Sequence, residues 1–211
     1  YVCQNCGYET SQYFGRCMNC KEWNSIIEEE KSSVSKKNII KKSKKSKLFT
    51  EIQIPEISRI KTGFDEFNRV LGGGVVHGSI ILLGGEPGIG KSTLVLQAAG
   101  KMSLSDNVLY VTAEESLEQV KVRWARLNQR NSNLKVFAEN NLSIIIQEIK
   151  ETKPTIAIID SIQAINNSDL ESASGSVSQV RSCSSELQKF AKDNNIALLI
   201  IGHVTKDGTL A

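Results

Sequence analysis

No run of about 18 apolar residues occurs anywhere in the 211 residues, so nothing in the sequence is expected to span a membrane. A basic-then-apolar opening is also missing. The chain starts Tyr1-Val2-Cys3 without an initiator methionine, which argues against a secretion signal and reads as a trimmed natural N-terminus. A cytoplasmic protein without a membrane partner is the expectation. Acidic residues are absent between Lys31 and Thr50, where eight lysines lie. The formal net charge of +3 therefore misleads: without those eight, 18 Lys+Arg face 23 Asp+Glu. What remains is ordinary globular composition, 40% hydrophobic and 23% charged, enough for one domain or one domain plus a small module.

Five cysteines are present, and four of them pair as Cys3-x2-Cys6 and Cys17-x2-Cys20. In a chain with no secretion signal this argues for metal and against disulfides. Two knuckles ten residues apart describe a four-thiolate zinc ribbon over residues 1–27, a structural site with no open coordination position. Iron in a rubredoxin-like site is the chemical competitor, and a dithiol redox role a weaker one. So short a segment cannot fold on its own core, and metal must hold it together. Tyr8, Tyr13, Phe14 and Trp23 read as that module's small core, with a base-stacking platform as the alternative. Residues 28–52 read as a solvated Lys/Ser-rich linker. It is either a spacer or a non-specific contact to a nucleic-acid phosphate backbone.

From residue 53 to 211 strands and helices alternate. Ile60 to Leu71 reads as a short amphipathic helix closed by Gly72-Gly73-Gly74. Apolar strands follow at Ile80–Leu83, Val108–Val111, Leu134–Phe137, Ile156–Asp160 and Ile196–Ile201. Helices run from Lys91 to about Met102, after the N-cap Ser116, from Asn141 to Glu151 before Pro154, and from Val177 to Lys192. Near-continuous apolar strands alternating with helices mean an α/β fold with a mostly parallel sheet covered on both faces. Ligands in such sheets lie at the carboxyl ends of the strands.

Gly85-Glu86-Pro87-Gly88-Ile89-Gly90-Lys91-Ser92 fits G-x-x-x-x-G-K-[ST], between an apolar strand and a helix start that continues through Thr93. Glycines let backbone N–H groups curl around an anion, and the helix N-terminus adds a favourable partial charge. Lys91 is placed to reach the β/γ-phosphates and Ser92 to ligate Mg²⁺. Asp160 ends an apolar strand as a Walker B aspartate does. A water near the γ-phosphate needs a carboxylate, and Glu114 and Glu115 both end the strand after the P-loop helix. His203 ends the last strand and is placed to sense the γ-phosphate. His77 reads as structural and Cys183 as buried in a helix.

These motifs together resemble the bacterial RadA (Sms) family of recombination proteins, relatives of RecA with an N-terminal zinc ribbon and a RecA-like P-loop ATPase. The resemblance rests on Tyr1 to Gly7, Gly15 to Cys17 through Asn24, Thr62-Gly63 with Val70 to Gly74, and the P-loop. It extends to Tyr110 to Ser116, Ile158 to Gln163, Gly175 to Arg181 and Gly202 to Lys206. It implies a DNA-dependent ATPase of recombination and repair that promotes branch migration, using ATP, Mg²⁺ and Zn²⁺. Implied partners are single-stranded or branched DNA, a recombinase of the RecA type, and further copies in a homo-hexamer. It places Glu114 at the water-activating position, Lys91, Ser92 and Asp160 at the phosphate and Mg²⁺ positions, and His203 at the γ-phosphate sensor. Ser168 to Val180 falls where the RecA-like fold carries a mobile DNA-binding loop. The family continues with a Lys-Asn-Arg-Phe-Gly motif and a Lon-protease-like domain that do not occur before Ala211, so the chain reads as part of a longer protein. Two other functions compete. One is a nucleotide-gated assembly module without productive hydrolysis. The other is a KaiC-like phosphotransferase relative, against which the ribbon argues.

Overall fold

The computed structural model describes residues 1–28, 48–51, 58–127 and 133–203. The Lys-rich stretch and Val204-Thr205-Lys206 of the sequence motif lie outside these residues. At the N-terminus β1 (Val2–Cys3) pairs antiparallel with β2 (Ile26–Ile27). The buried centre of this unit is Cys3, Cys17 and Ile26. The expectation of an aromatic core is wrong: Trp23 is 67% and Tyr13 57% exposed, and Tyr8 and Phe14 also face outward. With four cysteines converging, the interior has no room left for large rings, which lie on the surface instead.

The expected helix from Ile60 is corrected as well. Residues Arg59–Ile60 form β3, α1 begins only at Asp65 and ends at Val70, and β3 pairs antiparallel with β4 (Val75–Val76). Thr62 turns the chain: its N–H and its hydroxyl both donate to Asn68 Oδ1, each at 2.9 Å. Gly74 makes the strand pair possible, because a Cβ there would lie 2.6 Å from the Ile60 carbonyl oxygen.

The remaining elements are β5 (Ile80–Gly85), α2 (Lys91–Met102), β6 (Val108–Thr112), α3 (Leu117–Arg126) and β7 (Lys135–Ala138). Then come α4 (Leu142–Thr152), β8 (Ile156–Asp160), α5 (Val177–Asn194) and β9 (Ala197–His203). The five long strands make one parallel sheet in the order β5-β9-β8-β6-β7. Alternation sorts its side chains into two cores. Leu109, Val111, Ile159 and Leu198 pack with Ile145, Ile149 and Leu187 of α4 and α5. Val108, Tyr110, Ile158 and Leu199 pack on the other face with Val95, Leu96 and Met102 of α2. Burial on both faces is why β6, β8 and β9 read as continuous apolar runs. No described helix is long and apolar enough to cross a membrane.

The helix ends follow local chemistry. Ser116 and Gln119 form a capping box at the start of α3, and Asn141 caps α4 through Ser143 and Ile144 N–H. The segment from Ser168 to Val180, which the resemblance sets at a DNA-binding loop, runs into α5 at Val177, the helix start read from the sequence. Gln179 is fully buried, accepts from Asn167 N–H, and donates to Asn166 Oδ1 and to the carbonyls of Asn167 and Ser172. One side chain thereby ties both limbs of the segment to the helix.

Candidate nucleotide and metal sites

The loop between β5 and α2 is built on positive-φ glycines, Gly88 at 80° and Gly90 at 100°, a conformation costly for any residue with a Cβ. Glu86 to Gly90 are exposed, so the loop opens to solvent above the strand ends. Lys91, the first residue of α2, is only 8% exposed. Its ammonium donates to the carbonyls of Gly85 and Glu86, both at 2.8 Å, and lies 3.2 Å from His203 Nδ1. Thr93, two residues further along α2, is exposed.

Four strand ends meet around this lysine. Ser92 Oγ donates to Asp160 Oδ1 at 2.9 Å. The Tyr110 hydroxyl, from β6, donates to Asp160 Oδ2. Glu114 and Glu115 part company: Glu114 Oε1 accepts from Ser161 Oγ and lies 3.5 Å from His203 Nε2. Glu115 instead pairs with the Arg123 guanidinium of α3, whose Nη1 lies 3.9 Å from Asp160 Oδ2. The turn that separates them is held by Thr112 Oγ1, which donates to the Glu115 carbonyl and accepts its N–H. His203 thus stands between the P-loop lysine and one carboxylate, and its own carbonyl accepts from Gln163 Nε2 at 3.2 Å.

Gly85 to Ser92, Glu114, Asp160 and His203, singled out for phosphate, cation and water, therefore share one rim, while the other candidate carboxylate, Glu115, turns to Arg123. Sequence reasoning assigned nothing to Tyr110, Arg123, Ser161 or Gln163. Tyr110 carried a usable signal, since a tyrosine in the middle of a fully apolar strand needs a partner for its hydroxyl. Burial, and then the neighbouring Asp160 carboxylate, raise the Tyr110 pKa, so the phenol stays protonated and donates. Ser161 is fully buried beside Asp160.

Ser92 Oγ and Asp160 Oδ1 fit a small divalent cation. Adjacent ligands of an octahedron with bonds of about 2.05 Å lie about 2.9 Å apart, the separation observed. The sulfurs of Cys3, Cys6, Cys17 and Cys20 all lie within 4.8 Å of one another. Their edges of 3.6 Å (Cys3 to Cys20) and 3.5 Å (Cys6 to Cys17) approach the roughly 3.8 Å expected of a zinc tetrahedron. Burial opposes ionisation of Cys3, yet its contact with the Ser25 hydroxyl and the Cys6 and Asn5 N–H groups brings its pKa down to about 6. Burial pushes Cys6 up to about 11. His77 lies outside both sites, and Cys183 is buried in α5 against the Ile165 carbonyl, as expected.

Comparison with known proteins bears on both sites. A family model described as AAA domain matches residues 48–209, and a rubredoxin metal binding domain of the zinc-ribbon type matches residues 1–28. Among curated proteins, "DNA repair protein RadA" of Listeria monocytogenes is 47% identical over the whole chain, that of Streptococcus pyogenes serotype M6 49%, and that of Bacillus subtilis strain 168 46%. The chain spans about half the length of these relatives, 47%, 47% and 48% respectively. Two solved structures, one described as an ATPase domain and the other as a DnaB-like replicative helicase with its primase interactions, each superpose with a TM-score of 0.60 over 72% of this chain. The matched regions cover 66% and 45% of those chains at 20% and 19% identity, and so show a shared RecA-like fold.

Proposed function

Because the chain belongs to the AAA-domain family, in its RadA-like branch with a four-cysteine zinc ribbon, we propose that it binds ATP at Gly85 to Ser92 and hydrolyses it in the service of DNA repair and recombination. One observation carries this reading. Lys91 and Ser92 at the start of α2 meet Glu114, Asp160 and His203, from the ends of three other strands, at one rim above the P-loop.

On this reading the phosphates draw the Lys91 ammonium from the loop carbonyls it now contacts, and the backbone N–H groups at the start of α2 face the same charge. Ser92 and Asp160 would hold Mg²⁺, which would neutralise charge on the phosphate oxygens. Glu114 takes the proton of the attacking water, while the Ser161 hydroxyl on one carboxylate oxygen fixes which oxygen is free to do so. His203 touches both Lys91 and Glu114, so a γ-phosphate arriving between them is felt at its ring. Glu115 is the less exposed of the two carboxylates and is occupied by Arg123.

DNA as effector, branch migration as the work done, a RecA-type recombinase as partner and assembly into a hexameric ring are the finer parts of the proposal. The RadA relatives and a positive charge concentrated in the Lys-rich stretch support a nucleic-acid partner. The test is ATP hydrolysis by this chain with and without single-stranded DNA at low salt. Stimulation is expected, and none at any salt concentration would remove the DNA-dependent reading. Glu114→Gln should bind ATP as the unaltered chain does and lose about 100-fold or more in turnover, the usual contribution of a general base. Normal turnover in that variant would move the water-activating role elsewhere.

A further inference from the structure

Asp160 is held from two sides, and only one of them belongs to the nucleotide rim. Its Oδ1 accepts from Ser92. Its Oδ2 accepts from Tyr110, whose ring is completely buried in the core between the sheet and α2, and faces Arg123 from α3. The other residues of β6, Val108, Leu109, Val111 and the terminal Thr112, are those of an ordinary buried strand. A phenylalanine at position 110 would fill the same space. The phenolic oxygen is therefore the part of this residue that packing does not explain, and it is spent on a carboxylate 50 positions along the chain.

A carboxylate left to itself turns about a broad, roughly two-fold torsion. Donors on both oxygens remove that freedom. The Tyr110 hydroxyl donates to Oδ2, and Arg123 is in turn oriented by Glu115. We propose that Tyr110 is a positioning residue for the divalent cation of the nucleotide complex: with Arg123 it locks the plane of the Asp160 carboxylate so that Oδ1 stays beside Ser92. Outer partners of this kind orient a ligand and typically account for 10- to 100-fold in metal affinity. The inference rests on the reading of Ser92 and Asp160 as the cation's residues, and deepens it.

The test uses Mn²⁺ as a paramagnetic stand-in, titrated into the zinc-loaded chain with ADP and followed by electron paramagnetic resonance. Nucleotide affinity without divalent metal is measured in parallel. Tyr110→Phe should weaken nucleotide-dependent Mn²⁺ binding about tenfold and leave metal-free nucleotide affinity unchanged, a split that general loosening of the core would not produce. Arg123→Met alters the same carboxylate from the partly exposed rim of the core, and should weaken Mn²⁺ binding by less. Asp160→Asn is the control on the underlying reading and should weaken it at least as much as Tyr110→Phe. If Asp160→Asn lowers Mn²⁺ affinity while both other variants keep it, the positioning role is overturned and the cation site stands. If Asp160→Asn itself leaves Mn²⁺ affinity intact, the cation site and the inference fall together.

Discussion

Gln179 shows how much one buried amide can hold. It accepts one backbone N–H and donates to a side-chain oxygen and two backbone carbonyls, all from residues 166–172. Gln179→Leu fills the space but strands those partners, each at about 1–3 kcal/mol when buried and unpaired. We expect a loss of about 3 kcal/mol in urea unfolding. Amide exchange should rise first at Asn167 to Ser172. At the same scale the site residues divide by what the sequence reveals of them. Lys91, Ser92 and Asp160 are legible because their chemistry recurs at fixed spacing beside an apolar strand. The Tyr110 phenol shows only that a partner is needed and Ser161 not even that, since their partners depend on which strand ends become neighbours. That β6 lies against β8, and not against β5, is settled by the whole sheet.

Among elements, α3 is short, and its capping box is its main local support. Because α3 carries Arg123, the cap reaches the nucleotide rim indirectly. Ser116→Ala should cost about 1 kcal/mol of stability by thermal or urea unfolding. The long, doubly buried strands are readable from hydrophobic runs and Ser116 as a cap from its residue type, whereas Asn141, read as the first helical residue, is the cap of α4. The pair β3 and β4 was not, because two-residue strands contain no period, and Ile60 fits a helical stripe as well as a strand. The ribbon's aromatic residues misled for a related reason. Side chains that would form a core in most small modules are displaced when sulfur ligands occupy the centre.

At the scale of the molecule the ribbon and the sheet depend on different forces. Only Cys3, Cys17 and Ile26 form the ribbon's buried cluster, whereas two extensive apolar cores clamp the sheet. The described ion pair between them, Arg181 to Glu9 at 3.4 Å, is exposed on both sides and contributes little. A strong chelator should therefore expose residues 1–28 to protease while leaving the main thermal transition of the sheet in place. A single concerted unfolding on zinc removal would show that the two are coupled.

β5 delivers the P-loop, yet it stands at the border of the sheet, bonded to β9 alone among the described residues. Its sequence, Ile80-Ile81-Leu82-Leu83-Gly84-Gly85, has no charge, no proline and no bulge, and Leu82 is half exposed. None of the usual devices that discourage strand-to-strand association is present on it. For anyone handling this chain in a tube, turbidity and light scattering at rising concentration, more than heat, will set its shelf life.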